Sequence, residues 1–117
     1  MINVVAPSRY KVNTRKLKKD TAIVLSRMVT NNDMVVNLVF VGRIKMRQIA
    51  NTYKHEDVAL PVLAFPFKGE EQEGEKLLGE VIICYPQAVL LAAERNKTVD
   101  DMLLWLIEHG IKNLISH

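Results

Sequence analysis

The apolar residues of the chain switch repeatedly between a two-residue and a 3.6-residue period, and each switch marks an element. Ile2-Asn3-Val4-Val5 alternates as a short strand and stops at Pro7-Ser8. Asn13 or Thr14 then caps a helix in which Leu17, Thr21, Val24, Leu25 and Met28 face inward while Arg15, Lys16, Lys18 and Lys19 face out. Asn31-Asn32-Asp33 reads as a turn, followed by Val35 to Val41, a nearly continuous β-branched run of the kind found in a central strand covered on both faces. Gly42 ends it, and Met46, Ile49, Ala50 and Tyr53 restore the helical period from Arg43 onward, with Arg43 and Arg47 on one outer face. Tyr53 to Asp57 reads as a polar loop.

Leu60 to Pro66 is an extended piece bracketed by Pro61 and Pro66. Proline lacks the N–H that a central ladder needs, which places this piece at a sheet edge or beside an open groove. Lys68 to Lys76 is a charged, glycine-containing loop or hairpin tip, and Leu77 to Cys84 is the last strand. Pro86 suits the first turn of a helix running to about Asn96. The final helix starts near Val99, where Thr98 and Asp101 form a capping-box-like pair. Met102, Leu103, Leu106, Gly110 and Leu114 make its buried stripe, with His109 and Asn113 on one flank. The order β-α-β-α-β-β-α-α describes an α+β fold: a small mixed sheet of about four strands with helices packed on it, as one domain over residues 1–117.

A length of 117 residues with 49% hydrophobic content supplies a real core. No segment approaches the roughly 18 uninterrupted apolar residues of a membrane span, and Arg9 and Lys11 follow the first apolar run instead of preceding it. The expectation is a cytoplasmic protein without membrane contact. The lone Cys84 has no internal disulfide partner and reads as a packed strand residue.

The net charge of +3 conceals an asymmetry: residues 1 to 54 hold eleven Lys and Arg against Asp20 and Asp33, whereas the other 63 residues hold five basic and eleven acidic side chains. A chain polarised from +9 to −6 can lay one face on a polyanion, so RNA or DNA is an expected partner; a solvated basic helix face is the alternative. On the last helix, side chains four residues apart lie about 6 Å apart along the axis, so His109 and Asn113 can reach one common point as metal ligands would. His117 would lie about 12 Å from His109 on a continuous helix and would need the last turn to fold back. His55 falls in the polar loop.

Four segments in order carry a resemblance: Asn51-Thr52-Tyr53-Lys54, Pro61 to Phe67, Leu78 to Cys84, and His109-Gly110. Together they resemble the YbeY family of bacterial rRNA maturation factors, whose corresponding segments read approximately LNxxYR, DVLSFPF, LGDIxI and HGxLHLxGYDH, over nearly the whole chain. The resemblance implies a zincin-like fold and a metal-dependent single-strand endoribonuclease acting on small-subunit rRNA. It further implies a zinc ion held by three histidines with an open position for water, whose pKa such an ion lowers to about 7.

Residue by residue, His109 and Gly110 match the start of the metal motif, Asn113 stands at the second histidine, and the third would fall two residues past His117. An amide oxygen is a much poorer zinc ligand than an imidazole. Lys54 stands where the family has an arginine expected to hold phosphate near the metal, keeping the charge and losing the two-pronged grip. Ala64 replaces a serine and Glu80 an aspartate.

Two functions follow as expectations. One is a YbeY-type hydrolase with Lys54 as phosphate contact and His109, Asn113 and His117 as metal ligands, its zinc weak or absent. The other is a metal-free RNA- or ribosome-binding protein that keeps the fold and the basic face.

Overall fold

The computed structural model describes residues 1–29, 34–67 and 76–116. The turn at Asn31-Asn32-Asp33, the loop from Lys68 and His117 lie outside them. The elements are β1 (Ile2–Val5), α1 (Thr14–Met28), β2 (Met34–Val41), α2 (Arg43–Lys54), β3 (Val62–Pro66), β4 (Lys76–Cys84), α3 (Tyr85–Glu94) and α4 (Val99–Ile115). This is the expected order. α2 runs one residue past Tyr53, so Tyr53 and Lys54 are helical and the polar loop begins at His55, a left-handed C-cap at φ 56°.

Local chemistry sets the helix starts. Asn13 Oδ1 accepts from the Lys16 backbone N–H at 3.1 Å and Thr98 Oγ1 accepts from that of Asp101 at 3.1 Å, each satisfying a donor that the first turn leaves free. Asp100 and Asp101 put negative charge at the positive end of α4.

The sheet order is β1-β2-β4-β3, with β1, β2 and β4 parallel and β3 antiparallel on the edge. The proline-bracketed segment is thus an edge strand, as its missing donors require. Val35 pairs with Leu77 and Val36 with Gly79, so β4 carries one extra residue, Leu78, at an irregularity in the ladder. Beyond it the alternation is regular: Val81 and Ile83 face one side, Ile82 and Cys84 the other.

The first side holds the main core. Val36, Leu38, Phe40, Val81 and Ile83 pack there against Leu17, Val24 and Leu25 of α1, Ala88 and Ala92 of α3, and the apolar stripe of α4. Met46 and Ala50 of α2 cover Leu63 and Cys84 on the second side, a smaller cluster. β2 is consequently buried at Val36, Leu38 and Phe40 but only half-buried at Asn37 and Val39. The expectation of a strand covered on both faces fails at these positions, because one helix cannot span four strands. Cys84 is fully buried, and burial pushes its thiol pKa up.

α4 sits close to the sheet through small residues. A Cβ on Gly110 would lie 2.6 Å from Val81 Cγ1, 3.0 Å from Cγ2 and 3.4 Å from Cβ. Gly79, at φ 154°, faces Leu114 Cδ2, which would be 2.7 Å from its added Cβ. Beyond α2, Arg47 Nε and Nη2 donate to the two Asp57 oxygens at 2.8 and 3.3 Å, tying the following loop back to the helix. That guanidinium holds the Asp57 carboxyl below its usual range.

Two outcomes test this packing. Gly110→Ala gains about 1 kcal/mol of helix propensity and loses about 1–3 kcal/mol to overpacking, so a net loss near 1 kcal/mol is expected in urea unfolding; a stabilised variant would contradict the close approach. Asp57 is depressed in the folded state, so its pairing stabilises the fold above the ordinary carboxylate pKa and is lost as pH falls through the lowered value. Asp57→Asn should therefore lower the melting temperature slightly at neutral pH and not at all in strong acid, with the effect small because the pair is exposed.

Candidate functional site

His109 and Asn113 occupy one exposed flank of α4, as their spacing predicts. The flank is fixed by what lies opposite. Met102, Leu106, Gly110 and Leu114 must face the sheet, and Asp100 and Leu104 meet α1, where Lys16 Nζ comes within 3.5 Å of Asp100 Oδ2. At 100° per residue this turns His109 away from α1. The lysines and arginines of α1 therefore stand across the helix from the imidazole.

Its neighbours are aromatic. The His109 ring stacks on Trp105, one turn back, with centroids 5.8 Å apart and planes 8° from parallel. The Arg95 guanidinium lies 5.2 Å from the Trp105 centroid, within cation–π range. The i, i+4 spacing of Trp105 and His109 is legible in the sequence; Arg95, the C-cap of α3, reaches Trp105 because α3 packs against α4.

A metal fits these residues poorly. One imidazole and one carboxamide face the same space, and among the described residues no group of three or more His, Cys, Asp or Glu is placed to hold an ion. A three-histidine zinc centre needs donors of another kind at Asn113 and one further position.

Lys54 ends α2 on the other side of the sheet. Its neighbour Tyr53 meets Phe65 of β3 edge to face, with centroids 5.0 Å apart, while α4 packs on β3 from the opposite side. α2, through Tyr53, and α4 thus reach the same edge strand from its two faces, and no hydrogen bond or ion pair joins Lys54 to His109 among the described residues. His55 is exposed, and His117 lies outside the described residues.

The basic half is split rather than gathered. Arg15, Lys16, Lys18 and Lys19 project from α1 on one side; Arg43, Lys45, Arg47 and Lys54 project from α2 on the other. The sequence reading of a single basic face gives way to two, because the first two helices cover opposite sides of the sheet. Beside α2 lies an open groove of about 610 Å³ between the helix and the strands, lined by Lys45, Gln48, Tyr53, Phe65, Glu80 and Ile82 among others; the proline-bracketed strand is thus both at the sheet edge and beside a groove, whose other walls the sequence did not reveal.

Comparison with known proteins places this arrangement. A family model described as Endoribonuclease YbeY matches residues 5–117. An Endoribonuclease YbeY from Aquifex aeolicus is 31% identical over 114 residues, covering 97% of this chain and 75% of that protein. One from Finegoldia magna is 26% identical over 104 residues, covering 89% of this chain and 68% of that protein. The solution structure of TM1509 from Thermotoga maritima superposes with a TM-score of 0.67 at 24% identity, over 97% of this chain and 71% of that one, and so shares the fold. With the family model spanning residues 5–117 and a relative 31% identical over 97% of this chain, this protein belongs to the YbeY endoribonuclease family.

Proposed function

We propose that the chain acts on single-stranded RNA in the maturation of small-subunit rRNA in the cytoplasm. The observation that carries this is the family match across residues 5–117. Exposed cations support it: Arg15, Lys18, Lys19, Lys45 and Lys54 make no ion pair among the described residues and remain available to phosphates. No helix among the described residues is long and apolar enough to cross a membrane.

Within that role the family's activity is endonucleolytic hydrolysis, with His109 as the retained metal-side histidine, Asn113 and His117 as weak helpers, and Lys54 as phosphate contact. A second reading, RNA binding without cleavage, is favoured by one specific observation: the residue one turn after His109 is Asn113, whose amide oxygen is a poor zinc donor.

Two measurements divide these readings. Purified protein is expected to carry well under one zinc per chain, and Asn113→His should raise uptake, read both by metal analysis and by emission of Trp105, the one tryptophan in the chain. One tightly held ion in the unmodified protein would establish the hydrolase reading instead. Binding to a single-stranded RNA should weaken steeply with salt, the logarithmic slope falling by about 0.7 for each phosphate neutralised; a flat salt response would count against an RNA role altogether.

A further inference from the structure

The α2 groove lies on the sheet face opposite His109 and has the makings of a binding site of its own. Its size is within the roughly 300–1,000 Å³ typical of ligand clefts, and its lining is mainly apolar with a few convergent polar groups. Ile49 and Ile82 supply apolar wall, and Tyr53 and Phe65 supply aromatic surface, with Tyr53 64% exposed. Glu80 lies on the floor. It neighbours Asn37 across the β2–β4 ladder, and Asn37 accepts a 2.9 Å hydrogen bond from Asn3 on β1. A row Asn3, Asn37, Glu80, Phe65 therefore crosses all four strands, ending at the aromatic pair.

The charge of the wall indicates what fits. α2 carries Arg43, Lys45, Arg47 and Lys54 without one acidic residue, and Lys45 lines the groove. At 100° per residue Arg43, Arg47 and Lys54 fall on the far side of α2 from Lys45, where Arg47 pairs with Asp57 and Arg43 donates to the Gln87 amide at 3.3 Å. Lys45, the one cation among the lining residues, suits a phosphate, and the exposed Tyr53 ring beside Phe65 suits an unstacked base, which is the chemistry of single-stranded nucleic acid. An acid on the floor adds a preference. A carboxylate accepts from an exocyclic amine and repels a carbonyl oxygen, so it distinguishes cytosine from uracil.

We propose that this groove is an RNA-anchoring site, in which a base of single-stranded RNA bearing an exocyclic amine stacks at Tyr53 and Phe65 and donates to Glu80, with Lys45 on the backbone. The inference rests on the RNA role proposed above and adds a contact surface on the α2 face, separate from the α4 flank. An RNA strand passing round edge strand β3 would meet the groove on one side and His109 on the other.

The test is fluorescence anisotropy with short fluorescein-labelled oligo(rC) and oligo(rU), on the full chain and on variants whose melting temperatures match the parent. The parent should bind oligo(rC) more tightly than oligo(rU) by about fivefold or more, and Glu80→Gln, which keeps the shape, should bring the ratio close to one. Tyr53→Ala should weaken both by about fivefold or more, and Lys45→Ala should weaken both alike and reduce the salt slope by about one. A ratio unmoved by Glu80→Gln, or affinities untouched by Tyr53→Ala and Lys45→Ala, overturns the groove assignment. If those variants are inert while Lys54→Ala or His109→Ala weakens binding, the RNA role stands and this surface is not part of it. A parent that binds neither oligonucleotide sinks both.

Discussion

Helix α4 can lie on this sheet only because two glycines make room for it. Gly110 meets the branched side chain of Val81, and Gly79 on β4 receives Leu114, so helix and strand approach more closely than any pair of side chains would permit. That contact sets the rotation of α4 about its axis. With Gly110 against the sheet, His109 and Asn113 must fall on one flank and Asp100 and Leu104 on the other. The rest of the site inherits its geometry from this single packing constraint.

The same layering decides where charge goes. α1 and α4 cover the larger core while α2 alone covers the second face, so the cations of the first half of the chain are divided between two surfaces. Exposed charges more than about 10 Å apart are screened from each other at ordinary ionic strength, and each surface therefore acts as its own electrostatic patch. The patch on α2 borders a groove and an aromatic pair. The patch on α1 borders the far flank of α4, where Lys16 is already engaged by Asp100.

Around His109 the contacts are aromatic. A metal-bound histidine is usually oriented by a carboxylate or carbonyl on its second nitrogen. Here Trp105 lies parallel to the ring, and Arg95 lies over Trp105. Such an arrangement orders an imidazole without committing its nitrogens, and it keeps an exposed π surface beside His109.

Local patterning alone specified the eight elements: the capping residues Asn13 and Thr98, the β-branched run of β2 and the prolines around β3 act within a few residues of themselves. The edge position of β3, the buried stripe of α4 and the shared flank of His109 and Asn113 were legible for the same reason, since period and missing donors are properties of the chain. Which helix covers which face was not, because it depends on how strands distant in sequence line up, and with it went the division of the basic residues. The reach of Arg95 to Trp105 and the meeting of Tyr53, Phe65 and Glu80 in one groove likewise join residues from separate elements. Sequence fixed what each segment is and which side of itself it buries; tertiary packing alone decided which exposed sides face one another, since that is set by close contact between elements and not by period within them.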